Sequence, residues 1–480
     1  MMPQQSRAGS RCFLACALAL VGCSSPAPEQ PPAGEPAGWD DEIALPTVQD
    51  INPDPHVLEV NIEARLADVQ LVPGGKTTVW SYNGGVPGPL LRAKVGDRLI
   101  VHFKNSLPEP TSVHWHGLRI PNDMDGVPDM PYPPIAPGES FDYDFVLPDA
   151  GTYWYHPHYA SAEQLGNGLY GPLIVDDPNE PPGLGDETVL VLSDMSVNPD
   201  GSLEAANGGG EFGTLFGREG NLILVNGKVL PELHVRRGVR QRWRVLNTAK
   251  ARYFELALPG TTFTRIGGEG GFIERPEPLE HLVVIPAQRA DVVLEPSPAA
   301  GESELTLRWI AYDRGFGTSF NRPDEDVMKL AFTDETAAAN PPLPALSRDI
   351  PAVDPTGARP IDISLTIGKS SEGHLEMGIN GVPSWEAEHI KTPLGERQVW
   401  TVKNTFDFDH PFHLHGYFFQ VLDLNGVAPT RREWRDTVNV PVDGTLRFVV
   451  DFNERPGMWM FHCRILDHAD AGMMGMVHVE

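Results

Sequence analysis

The chain has 480 residues, about three times the ~150 residues of a usual domain, which argues against a single domain. It is 41% hydrophobic and 21% charged, which excludes intrinsic disorder, and its formal net charge of -28 would repel phosphate backbones and argues against a nucleic-acid partner. The 48 Gly and 47 Pro disfavour long helices and favour an all-β protein.

The N-terminus has the features of a bacterial export signal. Arg7 and Arg11 precede an apolar run at 12–21. This run has only about half of the ~20 residues that span a bilayer, so a permanent transmembrane helix is the weaker alternative. It continues into Leu-Val-Gly-Cys, which resembles the lipobox of bacterial lipoproteins. We therefore predict a signal peptide at 1–22 and a lipid on Cys23 that anchors the exported protein in the bacterial cell envelope, in the periplasm or at the outer membrane.

The cysteines point to chemistry rather than to disulfides. Residues 23–47 are rich in Pro and Gly and predict an extended tether. Cys12 and Cys16 lie in the signal and Cys23 would carry lipid, so Cys463 is left without a partner for an intramolecular disulfide. A single thiol in an exported protein indicates a chemical role. The alternative is a small buried hydrophobe.

Three copies of one pattern divide the rest of the chain. Each copy has an Asn-Gly pair, then a Gly, then an alternating strand-like run that ends in Asn, and the pairs stand at 83, 226 and 380. The copies begin about 150 residues apart, which is the size of one domain each. Short strands bounded by turn residues are typical of β-sandwiches. We predict three consecutive sandwich domains at 48–180, 186–340 and 356–480.

Four tight clusters hold nine of the 16 His. Because residues i and i+2 of a strand point to the same side, each His-x-His presents two imidazoles together. A lone buried His is more often a core residue, but four such clusters predict a metal site. The clustered residues are His114, His116, His156, His158, His410, His413, His415, His462 and His468.

The last cluster indicates which metal is bound. Cys463 stands between His462 and His468, and Met473 follows ten residues after the Cys. A thiolate, two imidazoles and a distant thioether define a blue-copper site, with His410 as the second imidazole. An isolated Met would more often fill a core, but the position of Met473 favours a ligand.

Together these motifs resemble the four copper motifs of the multicopper oxidases, in their laccase-like form, over nearly the whole mature chain. The resemblance implies three cupredoxin-like Greek-key sandwiches, a trinuclear copper cluster between the first and third domains, and no copper ligands in the second. It implies type 1, type 2 and paired type 3 copper. The type 1 ligands would be His410, Cys463, His468 and Met473; the type 2 ligands His114 and His413; and the type 3 ligands His116, His156, His158, His415 and His462.

Further roles follow from the same resemblance. Cys463 and His462 would carry electrons from the type 1 copper to the cluster. Asp125 would assist protons to bound oxygen, with a turn-forming Asp before Gly as the alternative. Asp436 either orients groups near the type 1 site or forms a structural salt bridge.

One position departs from the family pattern, because Arg464 stands where the third residue of His-Cys-His is expected. A guanidinium has donors only and cannot bind copper, so one type 3 ion would keep two His.

We expect a multicopper oxidase, impaired by Arg464, that oxidises phenol-like organics or metal ions such as Cu(I) and reduces O2. The alternative is a copper-binding or electron-transfer protein with a type 1 centre and a non-functional cluster; a cupredoxin-type nitrite reductase is disfavoured. The 12 Met form no Met-rich tract that would select Cu(I).

Overall fold

A computed structural model describes residues 43–72, 75–315, 322–333, 339–346, 348–371 and 373–480. The predicted signal peptide, Cys23 and most of the predicted tether lie outside these ranges. Strands dominate the described residues, with three short α-helices and one 3₁₀ helix among them. No helix in this part of the chain has both the length and the apolar character needed to cross a membrane. The predicted all-β fold is confirmed.

The first group of strands forms two four-stranded sheets. Its strands are β1 Val57–Val69, β2 Thr77–Tyr82, β3 Leu91–Lys94, β4 Arg98–Asn105, β5 His114–His116, β6 Ser140–Val146, β7 Gly151–His156 and β8 Gly171–Asp176. The sheet orders are β2-β1-β4-β6 and β3-β8-β7-β5. The 3₁₀ helix Asn122–Met124 and helix α1, Ser161–Gly166, lie in the connections. One apolar core contains side chains from both sheets, including Val60 of β1 and Tyr153 of β7, so the two sheets form a sandwich.

The second group forms a larger sandwich around Trp243 and Phe254. Its elements are β9 Asp186–Met195, α2 Gly210–Phe216, β10 Leu222–Val225, β11 Glu232–Arg236, β12 Gln241–Asn247, β13 Phe254–Ala257, β14 Phe263–Gly268, β15 Gly271–Leu279, β16 His281–Val284, β17 Arg289–Leu294, β18 Glu304–Ile310 and β19 Glu325–Thr333. The sheet orders are β10-β9-β12-β17-β14-β15 and β11-β19-β18-β13-β16.

The third group packs two five-stranded sheets around Trp400 and Phe461. Its elements are β20 Arg359–Lys369, β21 Leu375–Ile379, β22 Ile390–Thr392, β23 Glu396–Asn404, β24 His410–Leu414, β25 Phe419–Leu424, β26 Thr437–Val440, β27 Thr445–Phe452, β28 Gly457–Cys463, α3 Leu466–Asp470 and β29 Met474–Val479. The sheet orders are β21-β20-β23-β27-β25 and β22-β29-β28-β24-β26.

The repeated Asn-Gly pairs perform the same structural task in all three groups. Asn83, Asn226 and Asn380 have φ values of 55°, 51° and 54°, and the Gly that follows each is also left-handed, as a tight hairpin turn requires. Each Asn Oδ1 also accepts a 2.7 Å hydrogen bond from a backbone amide of the first strand of its group. The sequence repeat is therefore a repeat of one hairpin and of the hydrogen bond that joins its Asn side chain to the first strand of the group.

Candidate metal centre

Two pairs of strands bring the histidine clusters together. In the first sandwich, β5 and β7 are antiparallel and place His114 opposite His156. In the third, β24 and β28 place His413 opposite His462 and Phe412 opposite Cys463. Because neighbouring residues of β28 face opposite sides, His462 and Cys463 belong to two different groups of ligand atoms.

The first group lies inside the third sandwich. The ligand atoms of His410, Cys463 and His468 lie within 4.8 Å of one another, and all three residues are fully buried. The Cys463 sulfur is 3.5 Å from Nδ1 of His468, whose Nε2 donates to the carbonyl of Leu215 at 3.0 Å. Met473 is buried in the same core, and its carbonyl accepts the amide hydrogen of Cys463. The ligand atoms of His410, Cys463 and His468 are therefore assembled around one point, and the backbone of Met473 lies beside Cys463.

Burial sets the protonation states of this first group. It raises the pKa of the Cys463 thiol to about 12, and it lowers the pKa of His468 to about 3. The imidazole is thus neutral and the sulfur keeps its proton until a metal displaces it.

The second group lies between the first and third sandwiches. Its members are seven buried histidines, which form three triads. Within each of these triads the ligand atoms all lie within 4.8 Å of one another. The triads are His114, His413 and His415; His114, His116 and His156; and His158, His415 and His462. The rings of His114 and His415 stack at 4.1 Å and those of His116 and His413 at 4.0 Å. Neither sandwich alone could supply this donor set.

Hydrogen bonds fix the direction in which these imidazoles point. Nδ1 of His114 donates to the carbonyl of Asp125 at 2.7 Å, and Nδ1 of His413 donates to the carbonyl of Asp436 at 2.9 Å. The Nε2 atoms of His114, His116, His158 and His413 are buried and have no hydrogen-bond partner among the described residues. Bare, inward-facing nitrogens of this kind are the donors that copper prefers, so the residues fit the predicted metal.

The electrostatics agree with that fit. Burial lowers the pKa of His116, His156, His158 and His462 well below the usual value, and lowers that of His415 to about 3. These five residues therefore present neutral imidazoles, the form that binds metal.

Asp125 links the first sandwich to the third. Its Oδ2 accepts a 2.9 Å hydrogen bond from Nδ1 of His415, and its Oδ1 lies 3.3 Å from Nδ1 of His114. Burial alone would raise its pKa, but the two imidazoles hold the pKa well below the usual range. Asp125 is thus a buried carboxylate at the cluster, in the place where the sequence predicts a proton-handling acid.

Arg464 points toward the same histidines and is fully buried. Its Nη2 donates to Nε2 of His156 at 3.3 Å, and its guanidinium carbon lies 4.8 Å from the centre of the Trp154 ring. Burial lowers its pKa to about 9, so it remains a cation at neutral pH. Nδ1 of His156 donates to the carbonyl of Pro157 at 2.9 Å, so Nε2 is the nitrogen left to bind copper, and it accepts a guanidinium hydrogen instead.

Arg289 is a residue of the site that the sequence does not reveal. It begins β17 in the second sandwich, donates to the carbonyl of Thr152 in the first at 2.9 Å, and binds both carboxylate oxygens of Asp436 in the third at 2.9 and 2.7 Å. Asp436 lies 3.6 Å from His413 and 3.7 Å from His116. The structure thus shows the predicted salt bridge of Asp436 and places it against the second group. No motif surrounds Arg289 that would have identified it.

The two groups are joined by the shortest covalent path available. His462 and Cys463 are consecutive residues, and Nδ1 of His462 donates to the carbonyl of Cys463 at 2.8 Å. A chain of few bonds plus one hydrogen bond therefore runs from the Cys463 sulfur to the second group.

Comparisons with known proteins agree with this architecture. Three family models, each described as multicopper oxidase, match residues 65–180, 186–304 and 355–480. Multicopper oxidase MmcO of Mycobacterium tuberculosis is 32% identical over 429 residues, which cover 82% of this chain and 81% of that protein. A multicopper oxidase of Campylobacter jejuni, described as a metallo-oxidase, superposes with a TM-score of 0.80 at 30% identity and covers 91% of this chain and 94% of its own. A multi-copper oxidase of Pseudomonas thermotolerans has a TM-score of 0.75 at 32% identity, covering 88% and 99%.

Proposed function

This chain belongs to the multicopper oxidase family, and from that premise we propose that it couples one-electron oxidation of a small donor to the four-electron reduction of O2 to water. The family makes it an oxidoreductase that uses copper. The observation that carries the proposal is the direct bond between His462 and Cys463, because it joins a single-metal donor set to a multi-metal one.

Each group of residues has a distinct part in this reaction. Copper, when bound, supplies the reversible one-electron chemistry that organic side chains lack. His410, Cys463 and His468 hold the electron-accepting site in an apolar core that excludes water. The Cys463 and His462 backbone conducts electrons to the cluster. The second group of imidazoles holds the site of O2 reduction, and Asp125, ionised and bonded to His415, accepts and delivers protons there.

We propose that Arg464 weakens the last of these steps. It removes one imidazole from the type 3 set and directs a cation at His156. The type 1 centre lies on the other face of β28, so it should form normally while O2 reduction is slow. The competing function is a copper or electron carrier without oxidase activity. It differs from this proposal only in that it does not reduce O2.

The surface near the first group favours an aromatic donor. Helix α2 covers this group, since Leu215 accepts the hydrogen bond of His468, and Phe212 of the same helix is 74% exposed. Trp385 is 60% exposed and packs against Gly472, next to Met473. Exposed aromatic rings beside the electron-accepting site suit stacking of a phenol-like molecule.

Cu(I) is the second candidate donor, because the fold collects methionines that are dispersed in the sequence. Soft thioethers select Cu(I). Five of them pack in one cluster with Val127. They are Met130, Met458, Met460, Met474 and Met476.

Oxygen uptake is the experiment that tests the function. Copper-loaded protein should consume O2 slowly but steadily with a phenolic donor, and Cys463→Ser should abolish the uptake. Phe212→Ser with Trp385→Ala should raise the KM for the phenol and leave that for Cu(I) unchanged, whereas Val427→Ser, at an equally exposed position, should change neither. Reduction of the type 1 centre without any O2 uptake would support the carrier function instead.

We also propose that the protein is exported and anchored through a lipid on Cys23. The support is the lipobox-like sequence before this residue. Cys23→Ser should move the protein from the membrane fraction to the soluble envelope fraction; unchanged membrane association would refute the anchor.

A further inference from the structure

Arg464 differs from every other fully buried large arginine of the described chain in having no acidic partner. Those others are Arg252, Arg289 and Arg314. Each lies within 3.4 Å of a carboxylate oxygen, of Asp194, Asp436 and Glu219 respectively. No carboxylate oxygen among the described residues approaches the Arg464 guanidinium within 4.0 Å. This chain therefore pairs its buried guanidinium groups as a rule, and Arg464 is the exception.

The hydrogen bonds of Arg464 are also incomplete. One donor, Nη2, reaches His156, while Nε and Nη1 are buried without an acceptor among the described residues. Buried donors of a charged group that find no protein acceptor require an ordered water or an ion. Water would satisfy the hydrogen bonds but would leave the charge uncompensated.

The surroundings of Arg464 add to this need for negative charge. The nearest acids are committed elsewhere, because Asp436 binds Arg289, and Asp470 accepts the amide hydrogens of Ser161 and Ala162. Among the other neighbours, His156 and the face of Trp154 supply no negative charge. Copper ions bound by those imidazoles would add further positive charge.

We propose that Arg464 is the centre of a binding site for one small inorganic anion, such as chloride, at the edge of the trinuclear group. The anion accepts hydrogen bonds from Nε and Nη1 and supplies the counter-charge that the other buried arginines obtain from Asp or Glu. Full burial restricts the ligand to small ions. The site depends on the guanidinium alone, so it stands or falls independently of the proposed oxidase function.

Halide-dependent stability tests the proposal. The unfolding temperature of copper-loaded protein should rise in sodium bromide relative to sodium gluconate of equal ionic strength, by an amount on the order of 2–4 °C when bromide is about ten times its Kd and further with the logarithm of the bromide concentration. Arg464→Met should abolish the increase, and Arg98→Met, at a surface arginine paired with Asp144, should retain it. An equal increase in Arg464→Met, or none in the parent protein, would overturn the proposal.

A second measurement does not depend on the folding of any variant. Crystals of the unaltered protein grown in bromide should show an anomalous peak at the bromine edge beside Nε and Nη1 of Arg464, and data at the copper edge separate this ion from copper. Bromide found only at the surface, or bound only to copper, would show adventitious ions and refute the site. Oxygen uptake of the same preparation reports separately on the oxidase function.

Discussion

Replacing Arg464 with His should convert a weakened cluster into a complete one. The substitution removes a cation whose Nη2 lies 3.3 Å from Nε2 of His156 and introduces an imidazole at the position of the absent ligand. A guanidinium and a copper ion about 4 Å apart repel by about 4 kcal/mol per unit charge at an effective dielectric near 20. This repulsion corresponds to about a thousandfold lower copper affinity. The additional ligand that His would supply is not included in this factor.

The assay compares copper content and oxygen uptake of the parent protein with those of Arg464→His and Arg464→Met. The His variant should bind about one more copper ion per chain and consume O2 at least about tenfold faster, since a gain of only 1.4 kcal/mol suffices for that factor. The Met variant removes the charge without adding a ligand and should fall between the two, which separates repulsion from the missing imidazole. Equal copper content and equal rates in all three proteins would refute the assignment of position 464 to the cluster.

Three other predictions concern the two groups and the surface. Cys463→Ser should remove the visible absorption of the type 1 centre and leave the far-ultraviolet circular dichroism unchanged, because we expect the sulfur to bind copper and it forms no disulfide. Asp436→Asn removes the ion-pair partner of the buried Arg289 and should cost about 3–5 kcal/mol in denaturant unfolding, whereas Asp451→Asn, which loses a partly exposed ion pair, should cost under about 1 kcal/mol. Hydrogen bonds to two acids raise the pKa of His102 above 6.5, so its stabilising contribution should be complete below pH 6.5 and disappear as the pH rises through the higher folded value; NMR titration should show that midpoint, and one at or below 6.5 would contradict it.

The fold and the assembly of the clustered histidines with Cys463 were predictable because their signals are local. A His-x-His on a strand places two imidazoles on one side whatever the rest of the fold, and an Asn-Gly pair specifies the same hairpin wherever it occurs. The spacing of Cys463, His468 and Met473 likewise lies within one short segment. The family and its use of copper were confirmed on these grounds.

Features that depend on packing between distant segments were not predictable. Arg289 reaches Asp436 across 147 positions of sequence, and nothing local distinguishes it from a surface arginine at a strand end. The methionine cluster combines side chains of β28, β29 and a loop of the first sandwich, so a search for a contiguous Met-rich tract misses it. The direction of the Arg464 side chain also depends on the packing of the first sandwich against the third, since the sequence shows only that a ligand is absent.

The bond from Arg289 to Asp436 also limits how this architecture can be shortened. A two-domain protein that joined the first and third sandwiches directly would retain every histidine of the cluster and still leave Asp436 as a solitary buried anion beside His116 and His413. Any such deletion, in a designed protein or in a lineage, therefore requires a compensating change at position 436 or a new cation to replace Arg289. The middle sandwich thus contributes the positive charge of Arg289 to the site in addition to its packing.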